Sequence, residues 1–142
     1  RGTFAAGLLS EALVELTDIA PTLLEICGLD VPSYMSGMSL LPLLTGKRPG
    51  DRQRDFVRCE FIDALDMPDA SVATMYFDGR YKLILYHNHG IGELYDLATD
   101  PDEFEDLWDS AAQIELKMRL LQRSYDATMQ TQYRGLDRIG PM

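Results

Sequence analysis

The sequence predicts an α+β fold: a four-stranded antiparallel sheet at about residues 56–62, 71–77, 81–86 and 93–97, packed by one long C-terminal helix at about 110–130. Three observations carry this. Residues 71–77 alternate Val72, Thr74 and Tyr76 against Ala73, Met75 and Phe77, the period of a strand. Asp78-Gly79 separates that run from the Tyr-, Leu- and Ile-rich run 81–86 and suits a two-residue type I′ turn, whose twist matches its flanking strands. Ile114, Met118, Leu121, Tyr125 and Met129 recur at helical spacing, a stripe able to cover one face of a meander.

Taken in order, residues 12–16 are a short apolar stretch, and Thr17 or Asp18 can cap a helix that starts at Ile19 and carries Pro21 in its first turn. Ile19, Leu23 and Ile26 share a face, and Gly28 ends the helix. Residues 31–50 hold Pro32, Pro42 and Pro49 with three glycines, so they read as a loop around one apolar turn near 39–44. The basic cluster Lys47, Arg48, Arg52 and Arg54 follows, either a solvated linker or a positive rim facing an anionic substrate. Phe56, Arg58 and Glu60 then alternate with Val57, Cys59 and Phe61, and the Asp- and Pro-bearing run 63–70 breaks that strand. Glu60 is either an edge-strand charge or a pocket residue. After the sheet, Asp100-Pro101-Asp102-Glu103 matches a capped helix start, and Ser110 with Gln113 a second capping box. Glu115 and Arg119 can pair on the wet side of the long helix. The tail from Thr131 lacks periodicity and is expected to wrap over the surface.

Composition narrows the function classes. With 46% apolar and 25% charged residues the chain can build a core, and a net charge of −10 opposes nucleic-acid binding, which needs Lys and Arg against phosphate. Cys27 and Cys59 stand in no zinc-type spacing and read as buried small apolar residues. No 18-residue apolar run is present, so no membrane span is expected. The chain opens at Arg1 without an initiator Met or signal sequence, which suggests a piece of something longer and assigns no compartment.

Four stretches resemble type I sulfatases of the alkaline phosphatase superfamily. Gly92-Glu93-Leu94-Tyr95-Asp96-Leu97, then Asp100-Pro101, Glu103 and Asp106-Leu107, is similar to that family's GELYDL-x-x-DP-x-E-x-x-NL signature, with Asp106 where Asn is commoner. Arg80-Tyr81-Lys82-Leu83-Ile84 resembles its RYKLI strand, residues 17–24 with Gly28 its DIAPTLL helix, and Gly37 with residues 39–44 and Gly46 its G-x-SLLPLL-x-G run. The resemblance implies that residues 1–50 are the C-terminal edge and linker of an α/β core, with a strand-helix remnant, and that 51–142 are the C-terminal subdomain.

The resemblance also implies a parent enzyme that hydrolyses sulfate esters with a formylglycine nucleophile and calcium, where a metal-activated geminal diol attacks and cations offset the sulfate charge. Formylglycine arises in C/S-x-P-x-R, a pattern absent from this sequence, and no catalytic or metal-binding residue is assigned here. The expected role is a subdomain that closes the active-site cleft, partners the rest of the core and helps select the alcohol released; alone, the chain is expected to be inactive. Candidate substrate-binding residues are His87, Asn88 and His89, two imidazoles in a loop after a strand. The bland alternative is an ordinary surface hairpin, and two ligands make a poor metal cage. Two readings stay beside the sulfatase one: the tail of a phosphonate or phosphodiester hydrolase of the same superfamily, and a stand-alone interaction or carbohydrate-binding module. An uncovered apolar face on segment 12–28, prone to self-association, separates a subdomain from such a module.

Overall fold

The computed structural model describes residues 4, 7, 9–47, 52–62 and 72–131. The expected break at 63–70, Arg48 of the basic cluster and the tail beyond 131 lie outside the described residues. Two compact units are present: one takes in residues up to Gln53 with the helix end from Thr128, the other runs from Arg54 to Ala127.

In the first unit, α1 (Ile19–Ile26) ends at Gly28, whose φ of 72° suits a residue without a Cβ, and α2 (Leu41–Leu44) is a single apolar turn. Residues 9–15 form no strand. Asp18 is fully buried yet does not cap α1; its carboxylate accepts from Glu15 N at 2.9 Å and Met38 N at 2.7 Å. The Thr22 hydroxyl donates to Asp18 O at 2.6 Å and accepts from Leu40 N at 2.8 Å, while Gln53 Nε2 donates to Met38 O and Ser39 O. Gly37 lies so close to the Thr17 backbone that a Cβ there would stand 1.9 Å from Thr17 O. The two N-terminal sulfatase-like motifs are thus one interlocked substructure. Pro21 and Thr22 face inward from α1, whereas Ile19, Leu23 and Ile26 are exposed.

In the second unit β1 (Val57–Ile62), β2 (Val72–Phe77), β3 (Tyr81–Tyr86) and β4 (Ile91–Asp96) pair antiparallel in chain order. The register sets Arg58, Tyr76, Leu83 and Leu94 opposite one another in one row, and directly opposed side chains share a face. Tyr76, Leu83 and Leu94 form the core with Leu116, Leu120 and Ala127 of α3 (Ile114–Thr131), and Phe56 stacks on Tyr76 at 5.3 Å.

Several expectations need correction. The two-residue β2–β3 turn is Gly79-Arg80 rather than Asp78-Gly79, flanked by Asp78 N donating to Tyr81 O at 3.3 Å, and the positive φ at Gly79 alone is the pattern of a II′ rather than a I′ turn; the Asp78 carboxylate holds Arg80 N and Tyr81 N. β4 begins at Ile91 because the loop needs only four residues, Asn88 and Gly90 taking the positive φ values. No helix starts at Asp100: its carboxylate accepts from Glu105 N and Glu103 turns the chain at φ 59°. Ser110 makes no side-chain cap, and a 3-10 turn at Ala111–Gln113 leads into α3. Both cysteines are exposed, Cys59 lying on edge strand β1 on the face opposite the α3 core.

The helix stripe also differs. The buried positions are Leu116, Leu120, Ser124 and Ala127, while Ile114, Met118, Tyr125 and Met129 are exposed and Leu121 is half-buried. Ser124 and Ala127 carry little apolar signal, but their small side chains suit a closely approached face. Leu120→Ala is therefore expected to cost about 2–5 kcal/mol, against under ~0.5 kcal/mol for Met118→Ala. Urea denaturation checks this, and equal losses would restore the 114-118-121-125-129 stripe.

Candidate functional site

The hairpin loop between β3 and β4 carries all three predicted site residues, His87, Asn88 and His89, and all are exposed. Its ends are tied: His87 N donates to Val72 O at 2.8 Å, His87 Nε2 lies 3.0 Å from Thr74 Oγ1, and His89 N reaches Tyr86 O at 3.4 Å. Asn88 takes φ 68°, a conformation Asn tolerates better than most residues. Sequence reasoning missed Thr74 as a partner because the link depends on β2–β3 register, which places Thr74 opposite Leu85, two residues before His87. The same register logic sets Glu60 of β1 opposite Thr74. Glu60 pairs with Arg58, whose side chain is only 6% exposed, so the carboxylate is anchored by a guanidinium mostly withdrawn from water.

On the other face, Glu93 accepts hydrogen bonds from the Tyr86 hydroxyl at 2.6 Å and the Tyr95 hydroxyl at 3.0 Å. Burial, the Glu93 hydrogen bond and nearby carboxylate charge push the Tyr95 phenol up to about 12. The Glu93 hydrogen bond, then burial and the Glu93 charge, raise Tyr86 as well.

The signature residues brace the other end of the β3–β4 hairpin, where Tyr81 pairs with Asp96, and the outer edge of β4. Arg80 grips Asp96 with two bonds, Nε to Oδ1 at 2.9 Å and Nη2 to Oδ2 at 2.7 Å, the fork geometry that only Arg offers a carboxylate. That bond holds the Asp96 carboxyl below its usual range and raises Arg80 further. Lys82 Nζ donates to Glu103 at 2.6 Å. Asp106 Oδ1 accepts from Leu94 N at 3.0 Å and Trp108 N at 2.9 Å, and Leu107 N donates back to Leu94 O at 2.8 Å, so the loop pairs with the outer edge of β4. A carbonyl oxygen of Asn could accept the same two bonds, which accounts for the Asn-to-Asp departure.

Among the described residues no three His, Cys, Asp or Glu side chains come together as a metal site. These residues therefore do not fit the calcium, and neither cysteine stands in a formylglycine sequence. Among them, too, no helix is long and apolar enough to cross a membrane.

A four-stranded meander carrying one long helix, with these motifs, defines the C-terminal domain of sulfatases in the alkaline phosphatase superfamily. Residues 2–130 match the family model described as N-sulphoglucosamine sulphohydrolase, C-terminal, and the chain belongs to that family. It is similar to arylsulfatase K of Rattus norvegicus, 34% identical over 110 residues that cover 72% of this chain and 19% of the relative. It is similar too to an N-acetylglucosamine-6-O-sulfatase of Bacteroides thetaiotaomicron, 29% identical over 136 residues, 93% of this chain and 24% of that protein. In fold it resembles the phosphonate monoester hydrolase of Silicibacter pomeroyi, with a TM-score of 0.82 at 23% identity, covering 94% of this chain and 28% of that one. The chain thus spans no more than about a quarter of the length of these curated relatives, 19% of one and 24% of the other.

Two titrations test the frame. Because Asp96 ionises more readily folded than unfolded, its bond with Arg80 adds stability above about pH 4, and that stability is lost as pH falls through the folded value. The stability difference between the wild type and Asp96→Asn, from urea curves, is expected to fade below that pH; a constant difference would refute the pairing. Ultraviolet titration is expected to show the Tyr95 phenol ionising near 12, and Glu93→Gln to lower it.

Proposed function

We propose that this chain is the subdomain of a sulfatase that closes the active-site cleft and helps choose the alcohol being released, with His87, Asn88 and His89 touching the organic part of the substrate. The observation that carries the reading is an apolar surface left uncovered: Ile19, Leu23 and Ile26 of α1 are 50%, 57% and 46% exposed, and Leu16 is 86% exposed. Contiguous apolar surface of this kind marks a docking face. A stand-alone binding module is expected to hide such a face, so the exposure favours residues 1–50 as an edge of an α/β core and 51–142 as the subdomain. In this reading the nucleophile, the calcium and the sulfate-binding cations come from the remainder of the core. The family description and the name of the Bacteroides thetaiotaomicron relative support sulfated glucosamine derivatives as the substrate class, whereas the name arylsulfatase K specifies no sugar.

A phosphonate or phosphodiester hydrolase stays as the second reading because the likeness to a phosphonate monoester hydrolase extends over nearly the whole chain. The motifs in this chain build scaffold, and scaffold does not choose between phosphorus and sulfur.

Alone, the chain is expected to self-associate and to leave 4-nitrophenyl sulfate intact, and Leu23→Asp to reduce the association in gel filtration. A monomer at all concentrations would speak for the independent module. In the full-length enzyme, replacing His87 and His89 by Ala is expected to raise KM more than it lowers kcat, as loss of contacts made in both ground and transition states does. Unchanged kinetics would return both residues to an ordinary surface loop.

A further inference from the structure

Three strands bring four polar side chains together at one end of the sheet, on the face that carries Tyr76 and Leu83. Glu60 of β1 stands opposite Thr74 of β2, and Thr74 reaches His87 just past β3. Opposed residues on one face have their Cβ atoms about 5 Å apart, so carboxylate, hydroxyl and imidazole form a short row. Each end of the row is held from behind. Arg58, nearly buried, grips the half-exposed Glu60, and Thr74 Oγ1 engages His87 at Nε2, which leaves Nδ1 as that ring's remaining polar atom. A carboxylate accepts hydroxyl protons, and an imidazole nitrogen accepts or donates according to its tautomer. Spaced acceptors and donors on a rigid sheet suit a molecule with several ring hydroxyls.

We propose that Glu60 and His87 recognise the ring hydroxyls of a sulfated amino sugar, with Arg58 and Thr74 as their positioning residues. This rests on the sulfatase reading above and adds to it a second strand and the chemistry recognised. The row does not hold the sulfate, since Glu60 would repel it; its task is to tell a sugar from an alcohol lacking ring hydroxyls.

The test uses the full-length enzyme with four probes: N-acetylglucosamine 6-O-sulfate, its 3-deoxy and 4-deoxy analogues, and 4-nitrophenyl sulfate, which has no ring hydroxyl. Glu60→Gln is expected to lower the ratio of kcat/KM for the sugar over the aryl ester by about tenfold or more, because a site built for hydroxyls discriminates by them. On whichever deoxy analogue lacks the partner hydroxyl, the same substitution is expected to have no further effect. Thr74→Val is expected to lower the ratio, and Thr74→Ser, which keeps the hydroxyl, to restore it. Equal losses on sugar and aryl ester would mean that the row only supports the fold, and an unchanged ratio would mean that it touches no sugar; either overturns the proposal. A wild-type enzyme that cleaves the aryl ester but not the sugar overturns this inference alone, whereas one that cleaves no sulfate ester overturns the sulfatase reading with it.

Discussion

The missing side chain at Gly92 is the constraint on which the C-terminal half depends. A Cβ there would stand 2.5 Å from Ile84 O and 2.5 Å from the Trp108 ring, so the indole lies where any larger residue would put its first carbon. With Trp108 seated on β4, the returning loop pairs with the strand edge, and Lys117 of α3 reaches forward to donate to Trp108 O at 2.6 Å while lying 4.4 Å over the indole ring. The start of α3 is thereby fixed against the sheet before Leu116 and Leu120 enter the core. One absent methyl group sets the position of an 18-residue helix.

The same logic runs through the family signature. Arg80 and Lys82 of the RYKLI strand find their partners in Asp96 and Glu103 of the GELYDL-x-x-DP-x-E run. Gly37 and residues 38–40 of the G-x-SLLPLL run close on Asp18 and Thr22 of the DIAPTLL helix. Motifs far apart in the chain are two halves of single contacts. Exposed ion pairs of this type contribute modestly to stability, so their value lies in fixing register and loop path as much as in energy.

Strand alternation made the sheet readable from sequence because one face of each central strand is buried, and that pattern has a period of two. The loop carrying His87, Asn88 and His89 was readable for the same reason, as the gap between two such runs. What escaped had no periodic trace. The α3 stripe was misread because Ser124 and Ala127 hide a buried face from any count of large apolar residues, whereas Met118 and Tyr125 advertise a face that is exposed. Asp18, Asp100 and Ser110 matched capping patterns, but the two carboxylates had other partners: Met38 N, twenty residues along the chain, and Glu105 N, beyond the second and third amides that a cap would hold. The Thr74–His87 and Glu60–Thr74 juxtapositions required the strand register, which no local window contains.

Asp106 has one more consequence. Where similar enzymes more often carry Asn, the two bonds to Leu94 N and Trp108 N depend on a single oxygen, Oδ1. Asn is among the residues that age chemically under heat, by losing its amide nitrogen and becoming acidic. A chain that begins with the acid has already reached that end point while keeping both bonds, so the clasp along β4 is protected from this route of slow covalent decay over the protein's lifetime.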